Sequence, residues 1–128
     1  MAELTLRAAG AARPDTVWCR YVYFRRWSEW SPQIVGVDTG AERIAPGVRG
    51  TVRSFLGLRV AFAVESVDDG HRTWSWRVRL GPVRVRLTHD VVPQGDGTRT
   101  RLRMRGPAPA LAAYAPLAHL ALRRLVTP

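Results

Sequence analysis

The sequence predicts an α+β fold, a curved antiparallel sheet of about six to seven strands around one long C-terminal helix, with two short helices after the first strand. Three observations predict it. From Gly47 to Arg105 apolar residues recur at every second position. The separators in that region are short enough to allow only antiparallel hairpins. One long helical pattern remains, and it lies at the end of the chain.

The opening "AELTLRA" sets Leu4, Leu6 and Ala8 against Glu3, Thr5 and Arg7, a half-buried strand. Pro14 and Asp15 then mark a helix start, with Val17, Trp18, Tyr21 and Val22 on one helical face. "RRWSEWSP" holds a second short helix that ends before Pro32, followed by a strand from Ile34 to Asp38. Further strands are expected at 48–56, 58–67, 72–80, 83–92 and 98–105. Gly57, "DDG" at 68–70, "GP" at 81–82 and "PQGDG" at 93–97 supply the turns between them. The tail from Pro109 to Val126 places Leu111, Tyr114, Ala115, Ala118, Leu122 and Leu125 on one helical face. Pro116 is expected to kink or restart that helix.

A chain of 128 residues with 46% apolar content is expected to form a single globular domain spanning 1–128. No apolar run approaches the length of a membrane span. The N-terminal stretch lacks a signal core, and the lone Cys19 excludes an internal disulfide; both point to a cytoplasmic protein. The net charge of +10 has the look of a nucleic-acid footprint. All 20 basic residues, however, are arginine, a compositional bias that weakens the link from charge to partner.

Alternation assigns the faces of the sheet. Val52, Ser54, Val60, Phe62, Val64, Trp74, Trp76, Val78, Val85, Leu87, His89, Leu102 and Met104 share the inner face. Arg49, Arg53, Arg59, Arg77, Arg79, Arg84, Arg86, Arg99, Arg101, Arg103 and Arg105 share the outer one, accompanied there by Phe55 as its lone aromatic. Two readings of the outer face stand. It is a solvated surface whose long side chains block edge pairing, or it binds RNA, a ribosome or an acidic membrane, with Arg77, Arg84, Arg86, Arg101 and Arg103 as the contacts. Surfaces that stack bases interleave aromatics with their basic residues, and here the tryptophans fall on the opposite side. The inner face likewise reads as a packed core or as the wall of a ligand pocket.

Several stretches resemble the START-like superfamily, SRPBCC, in its polyketide cyclase/dehydrase and lipid-transport branch. They are "PDTVWCRYVYFRRWSEWSPQIVGVD" (14–38), "IAPGVRGTV" (44–52), "VAFAVESVDDGHRTWSWRV" (60–78), "LTHDVVPQGDGTRTRL" (87–102) and "GPAPALAAYAPLAHLALRRL" (106–125). The resemblance implies a helix-grip fold with an apolar cavity between the sheet and the last helix. It further implies an apolar ligand, aromatic polyketide-like or lipid-like, either carried or turned over in a ring closure or dehydration.

On that reading Trp30, Phe62, Trp74, Trp76, Met104, Leu111 and Tyr114 are the expected lining residues. His89, pointed inward by alternation, is the one catalytic candidate, as a proton shuttle or as a hydrogen-bonded structural histidine. Tyr114 on the inner helix face, and Tyr21 or Tyr23 from the first helix, are candidates to orient a carbonyl, and Arg43 and Arg72 to reach the pocket mouth. Trp27 or Trp30 would line the cavity or staple the short helices to the sheet. The inward arginine that the resemblance implies for a cyclase has no counterpart in the register, because the sheet arginines fall outside. No metal or cofactor is expected: the three histidines are scattered, and the glycines belong to hairpin turns rather than a phosphate cradle. Nothing in the sequence commits to an oligomeric state.

Overall fold

The computed structural model describes Met1 to Pro128. The chain opens with β1 (Ala2–Gly10), α1 (Pro14–Val22), a 3-10 turn at Phe24–Arg26 and α2 (Trp27–Trp30). Strands β2 (Ile34–Thr39), β3 (Arg49–Ser54), β4 (Arg59–Asp68), β5 (Thr73–Leu80), β6 (Val83–Gln94) and β7 (Gly97–Gly106) follow. Helix α3 (Ala108–Leu125) closes the chain. All seven strands form one antiparallel sheet in the order β1-β7-β6-β5-β4-β3-β2, so the first strand pairs with the last. The α+β layout and its order of elements follow the expectation.

Each turn has a local cause. Gly57 and Gly81 sit at φ of +73° and +57°, where a β-carbon would be strained, and each ends a hairpin. Helix α1 begins on Pro14, whose fixed φ and missing N–H suit a first helical position. The aromatic run from Tyr21 to Trp30 then folds onto the sheet. Trp27 packs edge-on against Trp76 at 5.0 Å, and Phe24 against Trp27 at 4.9 Å. Such pairs contribute about 0.5–1.5 kcal/mol each beyond their area burial. Twenty-four buried apolar residues from sheet and helices make one cluster, with Trp27, Trp74, Tyr21 and Met104 among the fully buried.

Two local expectations about the strands need correction. Strand β3 stops at Ser54, so Phe55 leaves the alternation and turns toward the inner side instead of joining the arginines. A bulge between Val64 and Ser66 adds one residue to β4. It leaves Glu65 outside and brings Val67 opposite Trp74. The second short helix, α2, ends before Pro32 as expected, and a 3-10 turn leads into it. Pro116 lies inside α3, which runs from Ala108 to Leu125 without restarting. The proline and Ala112, one turn earlier, are both exposed, which leaves the carbonyl that the proline cannot bond on the solvent side of the helix.

Candidate functional site

Between the inner face and α3 lies a cavity of about 290 Å³. Strands β3 to β7 supply one wall, α3 the other, and α2 with the segment to Ile34 closes the side. Trp30, Trp74, Trp76, His89, Leu111 and Tyr114, all expected there, border it. Two expected residues do not. Phe62 is covered by Phe24, Trp27 and Trp76, whose rings lie 5.6, 6.1 and 5.7 Å away. Met104 is fully buried where β7 passes between Leu4 of β1 and Leu87 of β6, away from the cavity.

The short helices line and staple at once. Trp27 donates its indole N–H to the Tyr21 carbonyl at 2.8 Å, and Trp30 donates to the Arg20 carbonyl at 2.9 Å. Both rings also border the cavity.

His89 is held from both sides. Trp76 Nε1 donates to its Nε2 at 3.0 Å, so the neutral ring carries its proton on Nδ1. That nitrogen lies 3.1 Å from the Tyr21 hydroxyl. The hydroxyl passes the chain to Thr100 Oγ1 at 3.3 Å, which donates to the Asp90 carbonyl at 3.1 Å. The Trp74 ring stacks on the imidazole, 4.6 Å between centroids and 11° from parallel. Burial pulls the His89 pKa down to about 3 and pushes the Tyr21 phenol well above its ordinary range. Both ring nitrogens are thus committed inside the wall, the arrangement of a structural histidine. Tyr21 is buried in that network and does not reach the cavity.

The remaining candidates lie elsewhere. Arg72 pairs with Asp15, and Arg43 with Asp69 at 2.9 Å, which also accepts the Trp18 indole N–H at 3.0 Å. These contacts tie the β4–β5 turn to α1, at the end of the sheet opposite the hairpin tips that border the cavity. Tyr23 bridges to Arg43 through backbone and carries Arg25 over its ring.

Polar groups in the cavity wall are few and incompletely paired. Gln33 Nε2 donates to the Tyr114 hydroxyl at 2.9 Å, which leaves the phenol hydrogen free to donate onward. Burial raises the Tyr114 pKa, so the phenol keeps that hydrogen. Ser31 Oγ, Gln33 Oε1 and Trp74 Nε1 are buried with no partner, and all three residues border the cavity. Ser31 and Gln33 escaped the sequence reading because they flank Pro32, where neither the helical nor the strand period applies.

The outer face carries an open groove of about 520 Å³ among Arg49, Arg77, Arg79, Arg84, Arg86 and Arg105. Part of its charge is spent internally. Arg77 and Arg86 flank Glu65 at 3.5 and 2.9 Å, and Arg101 grips Asp90 at 2.8 Å. Arg84 and Arg103 have no acidic partner.

No helix is long and apolar enough to cross a membrane. No curated protein matches the chain significantly. Solved structures share its fold at low identity. A Mesorhizobium loti protein, MLL2253, is 18% identical with a TM-score of 0.82 over 97% of this chain and 93% of its own. The di-domain ARO/CYC protein BexL is 19% identical, TM-score 0.81, over 98% of this chain and 46% of its own. Ara h 8.0201 is 10% identical, TM-score 0.79, over 97% of this chain and 94% of its own. These likenesses establish the helix-grip fold. The family model for polyketide cyclase/dehydrase and lipid transport matches residues 1–127. With the match running along the whole sheet and closing helix, the chain belongs to the polyketide cyclase/dehydrase and lipid transport family of the START-like superfamily.

Proposed function

We propose that the chain acts as one unit that encloses an apolar small molecule between the sheet and α3. The ligand is aromatic polyketide-like or lipid-like and carries a small number of oxygen atoms. The observation that carries this reading is a largely apolar cavity wall that holds three buried polar atoms without partners beside a Tyr114 phenol free to donate. An unpaired buried donor or acceptor costs about 1–3 kcal/mol, so retaining three of them in one wall is unfavourable in the empty protein. A ligand carbonyl can accept from the Tyr114 phenol, which keeps a hydrogen free to donate.

Turnover is the second reading, favoured by one feature, the buried neutral Tyr114 phenol with a hydrogen to give. A ring closure or dehydration needs a proton acceptor as well. His89 does not supply one, since its nitrogens are both bonded within the wall. Binding without chemistry therefore fits these residues better. BexL, an ARO/CYC protein of a biosynthetic pathway by its description, is the comparison that keeps turnover in view.

The test is to identify small molecules released on denaturing the purified protein, and to repeat the analysis with Tyr114→Phe. An oxygen-bearing apolar compound, held less tightly by the variant, supports the reading. Absence of any bound or bindable apolar compound defeats it.

A further inference from the structure

The cavity is bordered at one end of the sheet by two hairpin tips and the start of α3. Four of the eight large apolar side chains exposed on the whole chain gather at these tips: Phe55, Leu56 and Leu58 on the β3–β4 tip, and Leu80 on the β5–β6 tip. Phe55, Leu58 and Leu80 also border the cavity, so the exposed patch is its rim. Antiparallel pairing of β4 with β5 puts both tips at the same end, and Pro107, Ala108 and Pro109 leave β7 there.

Leu56 is the most telling member. It is 87% exposed and sits at φ +63°, where glycine or asparagine is favoured over leucine. Neither its backbone nor its solvation explains an isobutyl group at the apex of a turn. Clustered apolar side chains of this kind mark a contact surface.

The surroundings are basic, and Glu3, which the pairing of β1 with β7 brings to this end, lies 3.9 Å from Arg105. No Asp or Glu occurs from Arg43 to Val64, from Gly70 to His89, or after Asp96, and these spans contain both tips and α3. Arg59, Arg79 and Arg84, beside the tips, are exposed and have no acidic partner. An apolar apex with an arginine collar matches a bilayer with anionic headgroups. A second copy of the chain would set this collar against itself, arginine facing arginine. A phosphate polyanion would leave the leucines unused.

We propose that this end of the molecule docks on an anionic phospholipid bilayer, with Phe55, Leu56, Leu58 and Leu80 entering the interface and the cavity rim facing the hydrocarbon. The proposal rests on the reading of the cavity as an apolar ligand site, and it names where the ligand enters and leaves.

The experiment is co-sedimentation of the full chain with phosphatidylcholine vesicles and with mixed phosphatidylcholine–phosphatidylglycerol vesicles. Binding to the mixed vesicles is expected, with weak binding to the neutral ones. Leu56→Asn relieves the backbone, so it folds, and it weakens vesicle binding roughly tenfold or more. Replacing Arg59 and Arg84 by glutamine removes the preference for anionic lipid. No binding to mixed vesicles, or binding that Leu56→Asn leaves unchanged, overturns the proposal. So does a dimer in sedimentation velocity that Leu56→Asn dissociates, which assigns the patch to a second copy. Native mass spectra of the same preparations separate the two claims. A retained apolar adduct without vesicle binding overturns docking alone, whereas vesicle binding without any bound or bindable apolar compound upholds docking and overturns the cavity reading.

Discussion

Trp76 Nε1 lies 3.0 Å from His89 Nε2, and this contact fixes the histidine as a neutral acceptor in a wall of aromatic rings. A protonated imidazole would present a second N–H to the indole N–H, donor against donor. Folding and protonation of His89 are therefore opposed.

The pH dependence follows from that opposition. Unfolded His89 takes up its proton near 6.5, while in the folded protein burial holds the pKa down at about 3. Between these values the unfolded state binds more protons, so stability is complete above the upper value and falls as the pH drops. The expected slope is about 1.4 kcal/mol per pH unit in that window. Urea unfolding of the wild type and of His89→Gln, which keeps a donor and an acceptor without titrating, measures it. The variant should show a flatter profile; equal slopes would remove His89 as the cause.

Two tryptophans on one strand should respond differently to the same change. Trp76→Phe strands the His89 nitrogen and should cost about 1–3 kcal/mol. Trp74→Phe leaves a comparable void but deletes an N–H that has no partner, so its cost should be the smaller of the two. Trp74 Nε1 is buried within the wall, so ligand affinity should change little in Trp74→Phe. Denaturant unfolding together with ligand titration checks both halves.

Arg84 and Arg103 have no acidic partner, and their reversal to glutamate should leave ligand binding unchanged and stability within about 0.5 kcal/mol. Arg101→Glu differs, because it sets two carboxylates together where Arg101 now grips Asp90 at 2.8 Å. A drop in melting temperature for Arg101→Glu alone is the expected result.

Much of this architecture was legible because a half-buried strand repeats every two residues and a packed helix about every 3.6. That period placed Trp74, Trp76, His89 and Leu111 around one interior, and the arginines outside it. It failed where a residue is added or a strand stops early. The bulge at Glu65 and the turn at Phe55 each reset the alternation, and Phe55 moved from the outer face to the cavity rim. Burial and lining also differ. Phe62 and Met104 point inward as the period requires, yet neighbouring side chains cover them, which depends on how distant segments pack. The unpaired atoms of Ser31 and Gln33 depend on an irregular segment and have no periodic signature.

Ala118 on α3 is buried beside the cavity, and Ala118→Phe places a ring in its volume. Because the ring enters empty space, stability should hold or rise by up to about 2 kcal/mol. The direct measurement of the central claim is a native mass spectrum of the purified wild type beside Ala118→Phe, with an anilinonaphthalene probe titrated into both. A wild-type adduct or saturable probe binding that the folded variant loses is the predicted result. A folded wild type with neither adduct nor saturable binding, or a variant that binds as well as the wild type, would contradict the cavity as the working site.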